Sequence, residues 1–101
     1  NEARSYNWLH VKLIGTLGNR DGIGSKIRLR SGNMNQLREI IAGSSYMSFN
    51  SLIEEFGLGS YMLVDWLEVK WLNGKIERFT DIEVNQRIVI REGEGITQTG
   101  K

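Results

Sequence analysis

Residues 62–80 read Met62-Leu-Val-Asp-Trp-Leu-Glu-Val-Lys-Trp-Leu-Asn-Gly-Lys-Ile-Glu-Arg-Phe-Thr80, and their alternation decides the fold class. Leu67, Val69 and Trp71 alternate with Trp66, Glu68 and Lys70. A period of two puts the first set on one side of a strand and the second set on the other. Asn73-Gly74 follows, and both residue types accept positive φ, so the spacing predicts a two-residue hairpin turn. That turn pairs Leu72 with Lys75 and sets Lys70 opposite Glu77, an opposite-charge pair that supports the register.

Working outward, the same period recurs. In residues 7–14, Leu9, Val11 and Leu13 point one way, and Trp8, His10 and Lys12 the other. In residues 25–30, Ile27 and Leu29 face in while Lys26, Arg28 and Arg30 make a basic outer stripe. Arg87 to Glu92 reads as the last strand, with Ile88 and Ile90 on one face, and the tail after Gly93 reads as frayed. Residues 34–42 are ambiguous. Met34, Leu37, Ile40 and Ile41 fit helical spacing between a possible Asn33 cap and Gly43, but nine residues make a marginal helix and every neighbour is a strand. Residues 44–59 are also mixed. Ser51 and Glu54 fit a capping box, whereas Leu52, Glu54 and Phe56 against Ile53 and Glu55 fit a strand closed by Gly57-Leu-Gly59. Six to eight short strands with turns every 8–12 residues predict an all-β fold, a small antiparallel β-sandwich, formed by residues 1–101 as one domain.

The bulk numbers agree. A chain of 101 residues, 40% hydrophobic and 25% charged, has ordinary globular composition and enough length to bury a core. The absence of cysteine excludes disulfides and thiolate chemistry. No apolar run reaches the roughly 20 residues that span a bilayer, so membrane insertion is not expected. The chain opens on Asn1 without a basic-then-apolar leader, which predicts a mature product or a piece of something longer. Net charge is +1, which speaks against a dedicated nucleic-acid binder. The charge is uneven: residues 1–38 carry seven bases and two acids, and residues 39–101 carry six bases and ten acids. Such asymmetry can steer a partner or dock one copy on another.

Each chemical candidate meets a plainer reading. His10 is the only histidine, and one imidazole makes neither a triad nor a metal centre. Asn19 and Asp21-Gly22 have the opening of a calcium loop, but Ile23 and Gly24 stand where further oxygen ligands belong, so a structural turn is expected. The glycines from Gly15 to Gly24 lack the Gly-Lys-Ser/Thr of a phosphate loop. Glu54 and Glu55 are adjacent and point to opposite faces of a strand, a poor acid–base pair. No catalytic residue, metal or cofactor is therefore expected. The aromatics carry more. Trp71, Phe56 and Phe79 read as core or its margin. Trp8, Trp66 and Tyr61-Met62-Leu63 fall on the other phase or in a turn, where they can stack on sugars or anchor a protein.

Several segments in order carry a family resemblance: Asn7-Trp-Leu-His-Val-Lys-Leu13, Asn19-Arg-Asp-Gly-Ile-Gly24, Phe56-Gly-Leu-Gly59, Val64-Asp65, Trp71 with Asn73-Gly74, and Asn85-Gln86-Arg87. Together they cover most of the chain and resemble the C-terminal domain of the ASPIC/UnbV family. The resemblance implies a β-rich module that usually follows FG-GAP-type propeller repeats in secreted or surface proteins, with no established catalytic residues. It implies an extracellular or cell-surface location and favours a strand at 34–42. The chain departs from the family pattern in having Leu72 where Pro is usual, Phe49 for Gln, Glu55 for His, and Tyr61-Met-Leu63 for a more polar stretch. These changes add apolar surface. The expectation is a non-catalytic binding module that contacts a protein or glycan through Trp8, Tyr61, Met62, Trp66, Arg28 and Arg30. The alternative is a subunit that assembles with copies of itself.

Overall fold

A computed structural model describes residues 6–16, 22–40 and 53–100 of the chain. Among these, eight strands form: β1 (Asn7–Ile14), β2 (Lys26–Ser31), β3 (Met34–Glu39), β4 (Ile53–Gly59), β5 (Leu63–Lys70), β6 (Ile76–Glu83), β7 (Gln86–Arg91) and β8 (Gly95–Gly100). Sheet A has the order β4-β1-β7-β8, and sheet B the order β3-β2-β5-β6. The all-β sandwich is thus the architecture that the alternation predicts, and residues 34–39 are strand rather than helix.

The period-two residues explain the packing. Leu9, Val11 and Leu13 of β1 are buried and share sheet A's inner face with Phe56, Leu58, Ile88 and Ile90. Ile27, Leu29, Leu67 and Val69 form the inner face of sheet B, and Trp71 closes one end. Burying a side chain of this size contributes about 1.5–3 kcal/mol, so the opposed rows are the main source of cohesion.

Four sequence expectations need correction. The sandwich is not wholly antiparallel: β1 runs parallel to β7, with Val11 opposite Ile88. A parallel neighbour must come from far along the chain, and local periodicity carries no sign of it. Second, Asn73-Gly74 does not make the two-residue turn. The Gly74 N–H donates to the Trp71 carbonyl at 2.8 Å, and the Trp71 N–H to the Lys75 carbonyl at 2.8 Å. Only Gly74 has positive φ, at 95°, which leaves a three-residue loop. The register moves by one, so Lys70 faces Ile76 and Val69 faces Glu77, and the expected Lys70–Glu77 pair does not form. The Asn73 side chain drives this choice by accepting the Lys75 N–H at 2.9 Å. Third, β4 runs on through Gly57 and the buried Leu58, and only Gly59, at φ 57°, closes it. Fourth, residues after Gly93 are not frayed: β8 pairs along β7, and Ile96 packs against the core.

Asn85 locks the corner between sheets. It adopts φ 62°, a left-handed conformation that Asn tolerates better than most residues. Its N–H donates to the Trp8 carbonyl, its Oδ1 accepts the Trp8 N–H at 3.0 Å, and its Nδ2 donates to Asn7 Oδ1 at 2.9 Å. The start of β1 is thereby tied to the entry of β7. Replacing Asn85 with Ala is expected to destabilise the protein by about 2–4 kcal/mol, from lost hydrogen bonds and left-handed strain. Asn85→Gly, which keeps the backbone freedom, is expected to lose only about 1–2 kcal/mol in urea denaturation.

Candidate functional site

Because β2 and β5 bury alternate residues, their other phase forms the outer face of sheet B. The register orders this face in three rows across β3, β2, β5 and β6. The first is Glu39, Lys26, Lys70 and Ile76; the second Leu37, Arg28, Glu68 and Arg78; the third Asn35, Arg30, Trp66 and Thr80. Five bases against two acids give these positions a formal charge of +3.

The central row is an ion cluster. Glu68 Oε1 lies 3.6 Å from Arg28 Nη1, and Glu68 Oε2 lies 3.3 Å from Arg78 Nη2. Glu68 is only 17% exposed, whereas Arg28 and Arg78 are 62% and 51% exposed. Exposed pairs of this kind add little stability. Their effect here is to hold two guanidinium groups upright around one shielded carboxylate. Arg78 also lies over Trp66, with its guanidinium carbon 4.4 Å from the ring centroid, and so fixes the half-buried indole by a cation–π contact.

The third row adjoins the β2–β3 turn. Arg30 Nε donates to the Gly32 carbonyl at 2.9 Å, and the Gly32 N–H donates to Asp65 Oδ2 at 2.8 Å. The Tyr61 ring lies so close over Gly32 that a Cβ there would collide with it. Asn7 Nδ2 anchors the Tyr61 carbonyl at 2.7 Å. Met62 follows at 77% exposure. Arg28, Arg30 and Trp66 therefore share one face, and Tyr61 and Met62 sit at its turn end.

Trp8 is elsewhere. It lies on the outer face of sheet A, half-buried, with its ring centroid 4.5 Å from that of His10 at an angle of 48°. The two tryptophans belong to different sheets and do not form one surface. A shallow groove of about 230 Å³, lined by Arg87, Val89, Gln98, Thr99 and Gly100, also opens on sheet A. It falls below the roughly 300–1,000 Å³ of drug-sized ligand pockets. Asn19 and Asp21 of the candidate calcium turn lie outside the described residues, as do Phe49 and Ser51. Among the described residues, no group of three or more His, Cys, Asp or Glu can hold a metal ion.

Lys70 and Arg78 belong to the basic face but were not among the expected contact residues. Lys70 shares the phase of Trp66, a signal present in the sequence. Arg78 joins the face through the β5–β6 register, which the turn chemistry decides.

The open side between β3 and β4 is polar. Arg38 points inward and lies over Phe56 at 4.9 Å, its Nη2 donates to Gln36 Oε1 at 3.0 Å, and Gln36 Nε2 donates to the Gly57 carbonyl at 2.8 Å. Glu54, opposite Val11, shares this side. Burial pushes its carboxyl above the ordinary value of 4.5, Arg38 partly offsets this, and Glu55 adds to the rise. A raised acid means that the folded protein holds the proton more tightly than the unfolded chain. Its contribution to stability therefore falls as pH rises through the shifted value. Glu54→Gln is expected to raise the melting temperature at pH 7, with the gain fading below about pH 4. A pH series of thermal melts on both proteins measures this.

Compared with known families, residues 15–97 match the family model described as ASPIC and UnbV. No curated protein matches the chain.

Proposed function

The chain belongs to the ASPIC and UnbV family, and from that premise we propose that it is a non-catalytic, extracellular accessory module that contacts a protein or glycan partner through the outer face of sheet B. The observation that carries this reading is the array of Arg28, Arg30, Lys26, Lys70 and Arg78 around Trp66 on a face that no other described element covers. A flat face with one fixed aromatic and several upright cations suits a macromolecule better than a small molecule, which needs concavity. Arginine and tryptophan are also the residue types that dominate binding energy at interfaces. The extracellular setting rests on the company that the resembled family keeps. Printed arrays of glycans and matrix proteins test the reading. Binding is expected to fall at least tenfold in the double variant Arg30→Ala/Trp66→Ala, and unchanged binding removes this face from the account.

One observation favours self-assembly as a second reading. Of the four edge strands, β3 carries Arg38 and Glu39, β4 carries Glu54 and Glu55, and β6 carries Glu77, Arg78, Asp81 and Glu83. The other edge, β8, reads Gly-Ile-Thr-Gln-Thr-Gly and has no charge. Edge charges block strand pairing, and their absence leaves a template for it, interrupted on β8 only by the extra residue Thr97. Two copies of β8 can pair antiparallel about Gln98 without opposing like charges. With no native cysteine, Gln98→Cys is expected to give a disulfide dimer on mild oxidation, and Glu83→Cys on β6 to stay monomeric. Equal cross-linking of both, or of neither, ends this reading.

A further inference from the structure

The geometry points to an acidic polysaccharide, a linear glycan bearing carboxylates or sulfates, as the ligand of the outer face of sheet B; this deepens the binding-module reading and rests on it. The argument starts from a pair that folding disfavours. Lys26 and Lys70 stand directly opposite each other, both exposed; Glu39 stands opposite Lys26 on its other side, but neither lysine forms an ion pair among the described residues. Like charges placed so are destabilising, and a bound anion removes the repulsion. Arg28 and Arg30 continue the row along β2. Alternate residues on a strand are roughly 6.6–6.8 Å apart, so the three cations form a ladder about 13 Å long. Glu68 does not cancel it, because its one carboxylate is already shared by Arg28 and Arg78.

The ladder fits a polymer with spaced negative charges. Duplex DNA presents one charge per ≈ 1.7 Å, and its dedicated binders are strongly basic overall, whereas this chain nets +1. Single-stranded nucleic acid is held on several stacked aromatics. This face has one, Trp66, and Arg78 already covers it on one side. An anionic membrane calls for a contiguous apolar strip beside the bases. Of the exposed apolar residues, Leu37 and Ile76 lie on opposite edge strands of this face and Met62 stands apart at its turn end, so they make no contiguous strip. A polysaccharide requires only spaced anions for the lysines and arginines and a ring edge against which a sugar can lie, and Trp66 beside Arg30 supplies the latter.

The test uses the full chain on immobilised polygalacturonate, heparin and neutral dextran, with single-stranded DNA and phosphatidylserine vesicles as competitors. Binding to polygalacturonate or heparin but not dextran is expected, weakening as salt rises. Lys70→Glu, which turns the Lys26 repulsion into attraction, is expected to bind at least tenfold more weakly while melting at the same temperature or higher. Lys26→Gln/Lys70→Gln serves as a second variant without charge reversal. The inference is overturned by no binding to either acidic polymer, by unchanged binding of these variants, or by tighter capture of DNA or vesicles. If the acidic polymers fail while a neutral glycan or a protein binds and is lost in Arg30→Ala/Trp66→Ala, only this inference falls. If no ligand depends on the face, both fall.

Discussion

Leu9, Val11 and Leu13 set the terms for the whole molecule. They occupy the inner face of a strand paired on both sides, antiparallel to β4 and parallel to β7, so their burial joins segments from three distant parts of the chain. The opposing rows from β2 and β5 complete a core that excludes water. Once one phase of each strand is committed inward, the other phase must face out, and no local adjustment can exchange them. A slip of one residue would bring Lys12 or Arg28 inside.

That constraint makes the outer faces informative. Sheet B presents excess positive charge that the fold does not require, and part of it, the Lys26–Lys70 opposition, works against folding. Glu68 tempers the excess only locally, and Arg78 uses the same contact to hold Trp66 in place. Charge kept at a cost to stability is a common mark of a working surface, because sites of function are where local rules are broken. The outer face of sheet A holds fewer bases, Lys12, Arg87 and Arg91. Trp8 and His10 lean on each other, and the nearby groove is shallow.

The edges follow a different logic. Between β3 and β4, Gln36, Arg38 and Glu54 close the sandwich with polar side chains instead of aliphatic ones, and inward-pointing charges there discourage added strands. Glu54 bears the consequence as a carboxylate less well solvated than usual. On β6, charges are frequent and Asp81, at φ 55°, breaks the regular pleat. β8 carries no charge, which separates it from the other three edges, although an extra residue at Thr97 interrupts its pairing with β7.

Period-two burial was legible in the sequence because side chains on a strand alternate with an invariant repeat. Leu9-x-Val11-x-Leu13, Ile27-x-Leu29 and Leu67-x-Val69 each reveal their inner phase unaided, and Arg28, Arg30 and Trp66 could be assigned outward on the same ground. The family motifs were equally local. What the sequence did not determine depends on partners distant along the chain. The parallel β1–β7 pairing, the strand character of residues 95–100, and the separation of Trp8 from Trp66 onto opposite sheets appear only when strands find their neighbours. The Asn73-Gly74 loop shows the same limit at short range. Residue types allow two loops there, and a side-chain hydrogen bond chooses between them, which moves Arg78 opposite Glu68 and assembles the basic face. Alternation is a property of one strand, whereas register and sheet membership are properties of pairs, and pairs exist only in the folded chain.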